Sequence, residues 1–250
     1  MSDATTFLVD GDRLSADQCR ARFGAQPLSD RQAKVMERLE GDLIVDVGCQ
    51  TGGFVHEASR RFPARTIIGI DHVEDNIRIA QLIYPQLAGR FRQMDAYRLE
   101  FPSDSVECIT MQEVLEHLEG AAIAVKEANR VLKQGGALIV SVPNPYYARS
   151  IATFVSREIA NAVRRKRGQR QQLDSEVLSE AAVWDRHVHA WTPQTLLTLM
   201  KVNGFDYVEH AYENPLPNRL RRLVLTILPF LGPTLILKAR KVAAAPSALI

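Results

Sequence analysis

The stretch Leu43-Ile44-Val45-Asp46-Val47-Gly48-Cys49-Gln50-Thr51-Gly52-Gly53-Phe54 restricts the fold more than any other part of the chain. The residues up to Val47 are apolar and largely β-branched, with one acid, Asp46, among them. Such a run reads as a strand covered on both faces, the habit of parallel sheets. Gly48, Gly52 and Gly53 follow, and helical spacing begins with Phe54, Val55 and Ala58. A strand, a glycine turn and a helix start in direct succession build a ligand cradle. Glycine lets the backbone approach a ligand, and the first helix N–H groups face it unpaired. The spacing is not the G-x-G-x-x-G of a dinucleotide turn. It is Asp46-x-Gly48-x-Gln50-x-Gly52, which argues against a nicotinamide-dependent oxidoreductase.

The alternation continues downstream. Patterning predicts a helix over 53–62 stopped by Pro63, a strand over 65–71, a helix over 73–84, a strand over 90–96 and a strand over 106–111. Gln112 to Leu118 is expected to open a helix that runs through Val125 and Leu132 and is closed by Gly135-Gly136, before a fifth strand over 137–144. Strands alternating with helices in this way imply an α/β fold with a parallel, doubly wound sheet. Right-handed crossovers place all strand C-termini on one edge, where ligands bind in such sheets. The glycine turn, Asp71, Asp95, Gln112 and Asn144 fall on that edge. Asp71 lies 23 residues past Gly48. Its carboxylate suits a pair of vicinal ribose hydroxyls; its other reading is a helix N-cap. Asp95 also follows a strand, where Asp is a common turn residue.

Composition narrows the class. The chain has 250 residues, 46% hydrophobic and 24% charged, the profile of a globular domain that needs no disulfide or metal to fold. A net charge of +2 gives no reason to expect nucleic acid. Cys19, Cys49 and Cys108 are few and scattered, which fits a reducing cytoplasm and no zinc cluster. The acidic start with Asp3, Asp10 and Asp12 does not read as a signal peptide. The most apolar stretch, 223–237, is shorter than the ~20 residues of a membrane span and is broken by Pro229, Gly232 and Pro233.

Two further runs complete a pattern: Glu113-Val114-Leu115-Glu116-His117-Leu118, and 131–144, Val-Leu-Lys-Gln-Gly-Gly-Ala-Leu-Ile-Val-Ser-Val-Pro-Asn. Together with the glycine turn they resemble the class I S-adenosylmethionine (SAM) dependent methyltransferases across residues 42–144, and in particular the small-molecule, ubiquinone-pathway type. The resemblance implies a Rossmann-like, seven-stranded sheet with a C-terminal antiparallel hairpin, and S-adenosyl-L-methionine as cofactor. It implies cofactor contacts at Asp46, Gly48, Cys49, Gln50, Gly52, Asp71, His72, Met94, Asp95, Ala96, Gln112 and Glu113. Asp95 would take the adenine amino group, the following backbone N–H a ring nitrogen, and Met94 would pack on the base. Gln50 departs from the family pattern, which has glycine there. This leaves a non-catalytic SAM-binding regulatory or scaffold protein as the alternative to an enzyme. The expected acceptor is a small molecule or a glycan or lipid precursor, methylated at oxygen.

One domain is expected, with a helical extension over 1–41, the cofactor core over 42–144, a helical lid over 145–190 and the rest of the core over 191–241. In the extension, a short helix is expected over 14–23, and Ser29-Asp30 caps a second that Gly41 ends. In the lid, Ile151, Phe154, Val155, Ile159 and Val163 form one helical stripe and Leu173, Val177, Ala181 and Trp184 another, around the basic run 164–170. That run reads as a solvated helix end, or as a contact for an anionic substrate or membrane. Thr192 and Pro193 start a helix that stops at Asn203-Gly204, followed by strands over 205–212 and 234–240. Between these strands, 218–230 reads as a helix. Its apolar part, 223–230, either faces the core or touches a membrane surface.

Methyl transfer from a sulfonium needs an in-line nucleophile about 3 Å from the methyl carbon, and a base only when the acceptor must lose a proton. His117 and His189 are the candidate bases, ahead of His187. Glu113, Glu116 and His117 have the chemistry of a divalent-ion site. The same string opens helices in methyltransferases without metal, and no metal is expected.

Overall fold

The computed structural model describes residues 6–9, 12–24, 26–167, 188–214, 223 and 225–242. The elements run β1 (Thr6–Val9), β2 (Asp12–Ser15), α1 (Ala16–Phe23), α2 (Asp30–Met36), β3 (Leu43–Val47), α3 (Gly53–Arg61), β4 (Thr66–Asp71), α4 (Glu74–Ile83), β5 (Phe91–Gln93), β6 (Val106–Gln112), α5 (Ala121–Val131), β7 (Leu132–Pro143), α6 (Ala148–Lys166), α7 (Pro193–Val202), β8 (Phe205–Tyr212) and β9 (Thr234–Lys241). Seven strands form one sheet in the order β5-β4-β3-β6-β7-β9-β8. The first five are parallel; β9 enters antiparallel between β7 and β8. The strand order reverses beside β3, so the crevice of a doubly wound sheet opens there.

Alternate strand residues feed two cores. Val45, Ile70, Ile109, Leu138, Val140 and Leu237 face α5 and α7, while Ile44, Ile67, Cys108, Ile139 and Ile236 face α2, α3 and α4. Lys238 and Lys241 of β9 are buried as well. Their ammonium groups donate to Glu40 Oε2 at 2.6 Å and to Asp104 Oδ1 at 2.7 Å, so neither charge is buried unpaired.

Several expectations change. The N-terminal region opens with a β-hairpin, β1–β2, not with helix alone; Phe7 packs with Cys19 of α1 and Ile79 of α4. The helix expected from Gln112 onward begins only at Ala121. Glu113 takes a left-handed φ of +55° while its N–H donates to the Ser141 carbonyl, which turns the chain away from a helical path. Residues 113–120 are therefore a compact turn. At the other end, Gly135-Gly136 does not close the helix. Leu132 already pairs with Val106, and the next β6–β7 pair is Cys108 with Ala137, so the glycines lie in a bulge of β7. Near the C-terminus, Leu223 and 225–227 are helical, Leu228 is not, and Pro229–Leu231 is a short 3-10 turn. The second lid stripe (Leu173 to Trp184), His187, 168–170 of the basic run and Arg219, Arg221 and Arg222 lie outside the described residues.

Candidate active site

The cradle forms where β3 ends. Gly48, Gln50 and Gly52 have φ of +76°, +48° and +81°. A Cβ placed on Gly48 would lie 2.5 Å from Val114 Cγ2, so only glycine lets this turn pass the 113–120 segment. Gly52 occupies the N-cap of α3 without a side-chain cap, leaving the first N–H groups of the helix for a ligand. A Cβ on Gly53 would meet nothing nearer than Tyr84 Oη at 3.9 Å, so the helix start is open. Cys49 turns its side chain inward against Gly69, and only its backbone belongs to the cradle.

Acids flank the turn. Asp71, at the end of β4, accepts from Gln50 N–H and Val73 N–H, both at 2.9 Å, and from Asn76 Nδ2 at 3.3 Å. Its carboxylate thus braces the turn and serves the start of α4 at once. His72 beside it is exposed, and its carbonyl accepts from Gln93 Nε2. Met94 is buried, with Sδ accepting from Glu100 N–H, while Asp95 is exposed and accepts from Tyr97 N–H at 2.9 Å. Ala96 follows in the same turn.

Of two further site residues, Arg31 is not named in the sequence reading and Glu116 enters it only as a candidate metal ligand. Asp46 is fully buried and accepts from Thr110 Oγ1 and from Gln112 Nε2. Burial lifts its carboxyl to about 6, partly offset by those bonds and by Arg31. Arg31 reaches the site from α2, with Nη1 3.3 Å from Glu113 Oε1. A lone Arg on a leading helix has no sequence signature of a site, because only tertiary packing sets α2 against the sheet edge. Glu116 is the second. It is 1% exposed, and neither carboxyl oxygen has a hydrogen-bond partner among the described residues. Burial, with Glu113 nearby, pushes it up to about 8; Glu113 is raised too, chiefly by burial.

The candidate bases converge on the same turn. The chain entering from residue 188 donates Val188 N–H and His189 N–H to the Glu116 carbonyl, at 2.8 and 3.3 Å. His189 therefore sits beside the segment carrying His117. Its Nε2 lies 3.4 Å from the Glu119 carbonyl, and its ring tilts over Trp191 at 5.1 Å. Among the described residues no cluster of three or more His, Cys, Asp or Glu has metal-site geometry.

A sheet of this order, with a glycine turn after its central strand and acids after the next two, is the class I methyltransferase architecture. Solved structures share it: a SAM-dependent methyltransferase from Mesorhizobium loti has a TM-score of 0.59 at 20% identity, covering 85% of this chain and 98% of that one. A possible histamine N-methyltransferase from Thermotoga maritima gives 0.58 at 19%, covering 88% and 90%. A family model described as a methyltransferase domain matches residues 45–140. The ubiquinone biosynthesis O-methyltransferase of Xylella fastidiosa is 31% identical over 200 residues, 78% of this chain and 74% of that protein. The chain belongs to the SAM-dependent methyltransferase family. It spans only part of other relatives, 45% of the rat mitochondrial ubiquinone biosynthesis O-methyltransferase and 58% of the Agrobacterium fabrum protein, each 28% identical. The cradle over Gly53 and the uncapped α3 start fit the family's cofactor, SAM.

Proposed function

We propose that the protein transfers the methyl group of SAM to a hydroxyl oxygen of a small molecule or a glycan or lipid precursor. The observation that carries this reading is the meeting of two parts at one turn: the cofactor rim at Gln112–Glu113 and the chain bearing His189, held on the Glu116 carbonyl. The likeness to the ubiquinone O-methyltransferase of Xylella fastidiosa supports oxygen as the acceptor atom. SAM supplies an activated methyl group when bound. The protein's part is to hold the acceptor in line and take its proton, with His189 or His117 as the base. Asp71 takes the ribose, Asp95 the adenine, and the 48–53 turn with Cys49, Gln50, Gln112 and Glu113 the methionine part. Calorimetry with SAM, followed by S-adenosylhomocysteine release on a panel of phenols, catechols and polyols, tests the reading. Binding with no turnover on any hydroxyl acceptor would favour the regulatory module that Gln50 suggests. His189→Ala or His117→Ala should lower kcat by about 10²-fold or more with cofactor affinity intact.

The partner side of the reading is a peripheral contact with an anionic lipid surface. Residues 151–160 of α6 are all exposed, with Phe154 and Ile159 each at 62%, and Arg164, Arg165, Lys166 and Arg167 follow. Ile151, Val155 and Ile159 line a groove with Leu231, and Ile227 and Phe230, on the segment leading to Leu231, are exposed. A basic, apolar-faced helix suits phospholipid headgroups over acyl chains. No helix among the described residues is long and apolar enough to cross a membrane. Cys19, Cys49 and Cys108 carry free thiols, which suits the cytoplasm. Nucleic acid is not part of the reading.

A further inference from the structure

The turn that carries Glu113 and Glu116 has too many acceptors for its donors. Three carboxyl groups share the field of one guanidinium: Arg31 pairs with Glu113 and lowers the carboxyls of Asp46 and Glu116 as well. Asp46 has its own donors in Thr110 and Gln112, and Glu113 has the ion pair with Arg31. Among the described residues no side chain donates to the Glu116 carboxyl. Gln112 Oε1, whose amide nitrogen is spent on Asp46, and the fully buried Ser141 Oγ, on the strand paired beside Gln112, are also without a hydrogen-bond partner among the described residues. Glu213 adds a further acid by accepting from the Arg31 N–H at 3.4 Å. A buried carboxyl with no donor is costly unless a partner arrives. Near neutral pH burial keeps this carboxyl protonated, and a positively charged partner beside it would draw it into the ionised form.

The cofactor reading above, on which this inference rests, supplies one. SAM carries an ammonium, a carboxylate and a sulfonium, for a net charge of one positive. S-adenosylhomocysteine has lost the sulfonium charge and is neutral overall. The geometry points to Glu116 as the counter-charge that makes this site prefer the positively charged cofactor over its neutral product. Arg31 offsets one acid charge of the cluster, that of Glu113. After transfer the ligand no longer offsets Glu116, which loosens the product's hold.

Sinefungin is the probe that separates charge from shape, because an amine replaces its sulfonium and it donates no methyl group. The full chain is titrated calorimetrically with sinefungin and with S-adenosylhomocysteine at a pH of about 9, where Glu116 is ionised, using wild type, Glu116→Gln and Glu116→Asp. Wild type should favour sinefungin. Glu116→Gln should shrink that preference about tenfold while leaving S-adenosylhomocysteine affinity unchanged, which also shows that the variant folds. Glu116→Asp should keep most of the preference. An unchanged ratio in Glu116→Gln overturns the assignment alone, as does stoichiometric Mn²⁺ binding that Glu116→Gln abolishes. Failure of both nucleosides to bind wild type overturns the cofactor reading, and this assignment with it.

Discussion

Glu116 and Gln50 are held in states that each residue alone would avoid. The Glu116 carboxyl ionises near 4.5 when solvated and at about 8 in the fold. Between those values the folded chain holds a proton that the unfolded chain has lost, so stability falls as pH rises through that window. The same sign applies to Asp46, from 3.8 to about 6. The Tm of wild type should therefore drop between pH ~5 and ~8.5, and that of Glu116→Gln should drop less, because the amide has no proton to lose. Equal drops in thermal scans would contradict the burial argument. At Gln50 the cost is steric: a φ of +48° crowds its Cβ. Gln50→Gly should raise stability by about 0.5–1 kcal/mol in a denaturant titration, because glycine adopts this conformation freely.

At the scale of elements, caps and packing determine which segments hold by themselves. Thr192 accepts from Thr195 N–H while Thr195 returns a bond to Thr192 N–H, with Pro193 at the first helical position. Thr192→Ala should cost about 1 kcal/mol of unfolding free energy, measured chemically. Helix α6 is the opposite case. Its apolar stripe is exposed, so Phe154→Ala with Ile159→Ala should change stability by no more than about 0.5 kcal/mol. The same pair should abolish flotation with vesicles containing anionic phosphatidylglycerol, which neutral phosphatidylcholine vesicles should not support in wild type. Retained flotation would place the lipid contact elsewhere.

Over the whole molecule, the last strand fastens the fold. Leu237 in β9 pairs with Val140 on one side and His210 on the other, and it is buried in the core beneath α5 and α7. Leu237→Ala should cost about 2–5 kcal/mol in equilibrium unfolding, since a cavity opens between strands on both flanks.

The sheet edge itself was legible without coordinates. β-branched runs fix the parallel strands, glycines mark the turn, and acids after the next two strands share the edge, because local patterning and right-handed crossovers suffice to place them. The antiparallel end of the sheet came from family resemblance. Three features did not follow from local pattern. Glu113-to-Leu118 reads as a helix start, yet the Ser141 carbonyl holds Glu113 in a left-handed turn. Gly135-Gly136 reads as a helix end, yet sheet pairing draws Leu132 into a strand. Arg31 draws no reading from its own segment, and Glu116 reads as a helix-opening acid or a candidate metal ligand. Their meeting depends on which long-range surfaces pack together, and periodicity along one segment carries no information about the segment it will touch. The sequence by itself determined the scaffold and the cofactor edge. Only the tertiary structure decided the charge balance beneath that edge, because burial and proximity, not residue type, set how strongly a carboxyl needs a cation.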